Sequence, residues 1–153
     1  MPNTYSQIYI QIVFAVKGRQ NLIHASWEDR LYGYMTGILQ NKGQKMMAIN
    51  GMPDHIHIFF SMNPDCCISD LVRELKKSSN EFINTNGLTS HRFAWQEGFG
   101  AFSYNKSQKD RVVTYILGQK EHHSKKTFKQ EYLTLLDTFE IEYKEKYLFE
   151  WYE

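Results

Sequence analysis

The chain has 153 residues, 42% hydrophobic and 23% charged, with a formal net charge of +1. That is the size and balance of one globular domain, 1–153, with one core. Near neutrality excludes binding to nucleic acid through bulk positive charge, and the lack of a long apolar run or a signal-peptide pattern leads us to expect a cytoplasmic protein with no membrane partner.

Residues 5–16 read as a strand, because Ile8, Ile10, Ile12, Phe14 and Val16 alternate with Tyr9, Gln11, Val13 and Ala15. A polar turn, Gly18 to Asn21, follows. Ser26 is placed to cap a helix running to about Lys42, with Trp27, Leu31, Met35, Ile38 and Leu39 on one stripe and Gly43 at its end. Residues 45–50 and 55–62 are strands flanking the turn Gly51-Met52-Pro53-Asp54. A second helix spans 68–85. Its core stripe is Ile68, Leu71, Val72, Leu75, Phe82 and Ile83. Its far face carries Arg73, Lys76, Lys77 and Asn80, which suits either a solvated surface or contact with phosphates. The adjacent Cys66 and Cys67 read as a reduced pair at the start of this helix.

Phe93 to Tyr104 reads as a strand or a bent strand pair broken at Gly98 and Gly100. Helices are expected over 106–123 and 128–138. The tail, Phe139 to Tyr152, is aromatic and acidic, suited to a strand or to docking on a partner subunit. The order β-α-β-β-α-β followed by additional C-terminal helices predicts an α+β, ferredoxin-like antiparallel sheet with two helices on one face. Its other face is expected to be free to carry a site.

Charge is segregated along the C-terminal third. Residues 106–130 hold Lys106, Lys109, Arg111, Lys120, Lys125, Lys126 and Lys129 against Asp110 and Glu121. Residues 131–153 are mainly acidic. A basic stretch can bind phosphates or form a solvated helix face, and charge alone does not separate the two. Aromatic residues reach 15%. Tyr104, Phe102 and Trp95 could stack on bases, although core packing is the ordinary use of such rings.

Two segments carry chemistry. In Pro53-Asp54-His55-Ile56-His57-Ile58-Phe59-Phe60 the strand period sends Ile56, Ile58 and Phe60 to the core and sets His55 and His57 side by side on the opposite face. Two imidazoles on a rigid support suit a divalent metal, though such a pair also arises on ordinary polar strand faces. On the helix over 106–123, Val112, Val113, Ile116 and Leu117 form the apolar stripe. Arg111, Tyr115, Gln119 and His122 share its flank, and Tyr115 and Gln119 are stacked neighbours. Tyr115 alone reads as an interfacial tyrosine, and His122 and His123 alone as solvated. Beside the histidine pair, the same face offers a nucleophile and a third ligand together.

This combination resembles the single-tyrosine HUH transposases of small bacterial insertion sequences. The matching pieces are Pro-Asp-His-Ile-His at 53–57, Trp95-Gln96 with Gly98-Phe99, Phe102-Ser103, and Tyr115-Ile116 followed by Gln119-x-x-His122-His123. The resemblance implies that His55, His57 and Gln119 hold Mg²⁺ or Mn²⁺ and that Tyr115 is the nucleophile, forming a 5′-phosphotyrosine intermediate. It implies a substrate of single-stranded DNA with a hairpin at the element ends, and no nucleotide cofactor. It also implies a homodimer in which the tyrosine helix can complete the partner's metal site. A tyrosine titrates at about 10, so the metal or a basic neighbour such as Lys120, Arg111 or His122 is expected to assist its proton loss. Arg73, Lys76, Lys77, Arg111, Lys120 and His122 are candidate DNA contacts. Three rivals stand beside this reading: a domesticated, repeat-cutting relative; a non-catalytic nucleic-acid-binding module on the same fold; and a metal hydrolase. The hydrolase would need a carboxylate base, and Asp54, the one near in sequence, is expected to point away from the histidine face.

Overall fold

The computed structural model describes residues 3–152. Four strands, β1 (Tyr9–Ala15), β2 (Lys45–Met52), β3 (His55–Ser61) and β4 (Gly100–Tyr104), form one sheet in the order β2-β3-β1-β4. All three pairings are antiparallel. This is the ferredoxin-like arrangement expected from the element order. The central pair is in register, with Ile12 opposite Ile58, Phe14 opposite Ile56 and Val13 opposite His57. Residues of like period therefore share a face.

On one face Ile12, Phe14, Ile56, Ile58 and Phe60 are fully buried. They pack under α1 (Glu28–Asn41) and α2 (Ile68–Thr85), which contribute Leu31, Met35, Leu39, Leu71, Val72, Leu75 and Ile83 to the same core. Each such side chain stabilises the fold by roughly 1.5–3 kcal/mol through burial. The first helix starts later than expected. Trp27 is its N-cap, and Ser26 makes no cap bond but lies with its Oγ 2.8 Å from His24 Nδ1.

The opposite face is not free. It is covered by α3 (Lys109–Leu117), α4 (Gln119–His122) and α5 (Phe128–Thr138). Val112 and Ile116 of α3 pack on Phe59 and Ala48. The single helix expected over 106–123 is a 3-10 turn, Lys106–Gln108, and then two helices broken at Gly118. The Asn50 amide of β2 donates to the Ile116 and Leu117 carbonyls at 3.1 and 3.2 Å, satisfying groups that the helix end leaves open. The apolar stripe ends there, and Leu117, expected in it, is 60% exposed.

Phe93 to Gln96 is not a second full strand but touches the sheet through one bridge, Val16 to Trp95. Phe102 and Trp95 are core residues, the indole N–H donating to Ser79 Oγ at 2.8 Å. The end of the aromatic tail folds onto its own chain. Phe149 is buried against Phe128 and Tyr132, and the Gln96 amide pairs with both backbone groups of Glu150, at 2.7 and 3.1 Å. Among the described residues no helix is long and apolar enough to cross a membrane.

Candidate active site

His55 and His57 are both fully buried on the face covered by α3, α4 and α5. The β2–β3 hairpin places them, with Met52 opposite His55 and Asn50 opposite His57. Each imidazole has an outer partner. Asp54 does not point away: its Oδ1 lies 2.7 Å from His55 Nδ1. Gln11 Nε2 lies 2.8 Å from His57 Nδ1, and the Tyr104 hydroxyl donates to Gln11 Oε1 at 2.6 Å. An amide presents a donor on one side and an acceptor on the other, and a hydroxyl can give or take. The Gln11–Tyr104 pair can therefore hold either His57 tautomer.

Both Nε2 atoms face inward. His55 Nε2 lies 3.1 Å from Gln119 Oε1, so α4 delivers its glutamine to the histidine pair. Gln119 is fully buried, and its Nε2 donates to Glu131 Oε2 at 2.9 Å, which fixes the amide oxygen toward His55. Tyr115 reaches the same centre from α3, its ring centroid 6.2 Å from that of His57. Its hydroxyl donates to Glu131, and its ring stacks on His122 at 4.6 Å. The nucleophile expected from the resemblance thus sits beside the histidines of its own chain.

Glu131, only 2% exposed, lies at the centre of this network and is the residue sequence reasoning missed. Its Oε1 lies 2.9 Å from His57 Nε2, 3.2 Å from His123 Nε2 and 3.4 Å from His55 Nε2. A signal was present. Phe128, Glu131, Tyr132 and Leu136 share the helical spacing of one buried stripe, so a carboxylate occupies an apolar register. His123, expected to be solvated, has a side chain only 4% exposed and packs against the His55 ring at 4.8 Å. Phe128 stacks on His55 from the other side, at 3.8 Å and nearly parallel.

Burial alone would lower the His55 pKa, but hydrogen bonds to Asp54 and Glu131 outweigh it and raise it to about 9. Burial likewise opposes the charge on Glu131, yet His57, His123 and His55 together hold it well below the usual carboxylate range. Burial, with the carboxylate beside it, pushes the Tyr115 phenol up. Left to these groups, the hydroxyl keeps its proton. The ligand atoms of His55, His57 and Glu131 lie within 4.8 Å of one another, and the oxygen and imidazole donors suit a divalent ion. The donor set therefore fits the metal that the resemblance implies.

The candidate DNA contacts divide. His122 and the exposed Arg111 flank Tyr115 in a shallow groove of about 500 Å³ that also includes Asp110 and Thr114. Lys120 instead ties α4 to the hairpin, donating to the Gly51 carbonyl at 2.6 Å and pairing with Glu28 at 3.1 Å. Neither Lys120 nor Arg111 bonds the Tyr115 hydroxyl; its hydrogen-bond partner is Glu131. Arg73, Lys76 and Lys77 belong to α2, across the sheet from the site. Arg73 pairs with Asp70 at 2.8 Å, while Lys76 turns inward to the Gln96 and Gly98 carbonyls.

The chain is 29% identical over 118 residues to the ISDra2 transposase TnpA of Deinococcus radiodurans, covering 74% of this chain and 84% of that relative. Two solved structures share the fold. One, described as a candidate transposase from Deinococcus radiodurans, has a TM-score of 0.60 at 19% identity, covering 76% of this chain and 94% of its own. The other, a REP-associated tyrosine transposase bound to a REP hairpin, has a TM-score of 0.59 at 19% identity, covering 79% and 72%. The model of the family described as "Transposase IS200 like" matches residues 4–119, from before the first strand to Gln119, and the chain belongs to that family.

Proposed function

We propose that the chain nicks and rejoins single-stranded DNA at the ends of a mobile element through a 5′-phosphotyrosine on Tyr115. One observation carries this reading. Tyr115, Gln119 and the pair His55 and His57 come from separate elements yet meet at one buried centre, in a chain of a transposase family. A non-catalytic binding module has no need of that convergence.

His55 and His57 would hold a divalent ion, Mg²⁺ or Mn²⁺, through their inward nitrogens, with Gln119 Oε1 as third ligand. When bound, such an ion supplies Lewis acidity to the scissile phosphate and to the developing charge on the departing oxygen. Asp54 orients His55, and Gln11 orients His57. The His122 stack holds the Tyr115 ring so that its oxygen faces the centre. The tyrosine oxygen attacks phosphorus in line. A bond from that oxygen to phosphorus forms as the bond to the 3′ oxygen breaks, and the tyrosine proton is balanced by protonation of the released 3′-hydroxyl. The ester retains the bond energy, so another 3′-hydroxyl can reverse the step and join new strands without a nucleotide cofactor.

One structural neighbour is bound to a REP hairpin, and by that analogy we take a hairpin beside the cleavage site as the recognition element. It also supports a second reading, in which the hairpins are host repeats rather than element ends. Two copies of the chain would supply one nucleophile to each end of an element.

The test is covalent capture. Purified protein is mixed with single-stranded DNA from the flanks of its own gene, with Mn²⁺ or Mg²⁺ present. A denaturation-resistant adduct is expected, lost with chelator and in Tyr115→Phe while that variant still binds DNA. Binding without an adduct on both flanks and with both metals would reduce the protein to a DNA-binding module.

A further inference from the structure

Glu131 lies twelve residues beyond the segment that the family model matches, which ends at residue 119. It projects from α5 into the space between the histidines and the tyrosine. Each of its oxygens has a distinct set of neighbours. Oε1 faces the imidazoles, 2.9 Å from His57 Nε2 and 3.4 Å from His55 Nε2. Oε2 accepts from the Tyr115 hydroxyl and from Gln119 Nε2.

We propose that Glu131 is an additional, anionic ligand of the site's divalent ion, and that it couples that ion to the nucleophile. Oε1 joins His55 and His57 at the ion, while Oε2 positions the Tyr115 hydroxyl and turns the Gln119 oxygen inward. The inference rests on the metal-dependent reading above and adds a residue to it.

The charge balance of the centre favours this assignment. Two carboxylates, Asp54 and Glu131, touch the buried histidine pair. Charges taken out of water need opposite charge close by. Without an ion a charged His55 supplies one; imidazoles that ligate an ion are neutral, and the divalent cation then supplies the equivalent of two, so the two carboxylates are matched in full only with the ion bound. The local construction agrees. The Thr127–Gln130 capping box fixes the first turn of α5, and the Phe128 stack on His55 sets the rotation that aims Glu131 inward. A carboxylate beside two imidazoles also shifts the preference of the site. Oxygen donors suit Mg²⁺ and Mn²⁺, while imidazole alone favours later transition metals.

The experiment is a calorimetric titration of the full-length protein with MnCl₂ and, separately, with NiCl₂, in the parent and in Glu131→Gln. Mn²⁺ affinity is expected to fall on the order of 10- to 100-fold in the variant. Ni²⁺ affinity should fall by a clearly smaller factor, because the imidazole donors remain. A merely structural role would lower both equally, so equal losses, or none, overturn the proposal. Crystals of the unaltered protein soaked in MnCl₂ give a second measurement, independent of how the variant folds. An anomalous peak bonded to Glu131 supports the assignment. An ion held without Glu131, or no ion in the centre, overturns it. Covalent capture run in parallel separates this inference from the reading beneath it. An adduct with unchanged metal affinity in Glu131→Gln removes Glu131 alone, and Glu131-dependent Mn²⁺ binding without any adduct removes strand transfer alone.

Discussion

At the scale of single residues, Lys76 shows how position overrides a sequence pattern. Its ammonium leaves the outer face of α2 and donates to the Gln96 and Gly98 carbonyls at 2.9 and 2.7 Å, 5.3 Å from the centroid of Phe14. Half-burial there lowers its pKa from 10.5 to about 8. Below pH 8 the folded chain carries this charge at a cost. Between pH 8 and 10.5 the folded state has shed the proton while the unfolded chain keeps it, so stability rises with pH across that window. Because the amine is partly solvated, the rise should be about 1 kcal/mol rather than the full equivalent of the shift. Urea midpoints of the parent and of Lys76→Met, measured from pH 7.5 to 10.5, should diverge by that amount. Parallel curves would show that the two carbonyls keep the amine charged. The residues legible in advance were those whose environment follows from local period. His55 and His57 alternate with Ile56 and Ile58, and Tyr115 and Gln119 are four apart. The inward register of Glu131 was there to be read, but its partners were not, nor were those of Lys76, because the histidine pair and Gly98 are brought to them by the tertiary fold.

At the scale of elements, the β2–β3 hairpin aims the histidines, and its tightness depends on Gly51. A β-carbon there would lie 2.2 Å from the His55 carbonyl oxygen and 3.0 Å from the Ile56 Cα, both backbone atoms that cannot rotate away. Gly51→Ala should therefore open the hairpin and move His55. The expected loss is about 3 kcal/mol, seen as a fall in Tm of roughly 10 °C, with weaker Mn²⁺ binding in whatever remains folded. A variant with the parent's Tm would show that the strands can separate at that point without consequence. The first three strands and the helices 68–85 and 128–138 were readable from period, flanking turns and apolar stripe, whereas the stretch expected to be strand from Phe93 is one only at Gly100–Tyr104. The helix over 106–123 was misread as continuous. Its pattern runs through Gly118, but the Asn50 amide on strand β2 beneath it takes the carbonyls of Ile116 and Leu117, and Gly118 allows the chain to turn. Across that break Tyr115 and Gln119 still meet on one Glu131 oxygen, as i and i+4 neighbours can, and Gln119 reaches His55 as well.

At the scale of the whole molecule, His55, His57, Tyr115, Gln119 and Glu131 are brought together from a single chain. The family resemblance allows the tyrosine helix to serve a partner, yet here α3, α4 and α5 all close on the histidines of their own sheet. Lys120 pins α4 to the Gly51 carbonyl, and the tail closes over α5 through Phe149 and Trp151. Exchanging α3 and α4 between copies would re-form the Lys120 and Asn50 bonds, and the cover of Phe59 and Ala48 by Val112 and Ile116, with the partner's helices, so these contacts are the same in either arrangement. Closure within the chain needs no rearrangement of the segment between β4 and α3, and a dimer would then contribute two nucleophiles, each acting beside its own histidines. Coexpressed Tyr115→Phe and His57→Ala chains distinguish the two arrangements, because neither chain alone holds both a nucleophile and an intact histidine pair. With the site closed within each chain, the mixture should form no more covalent DNA adduct than either variant by itself. Adduct recovered toward about a quarter of the parent's yield, since half of randomly paired dimers are mixed and each has one competent site of two, would mean that the tyrosine of one copy reaches the histidines of the other, and that α3 and α4 exchange when two copies meet on DNA.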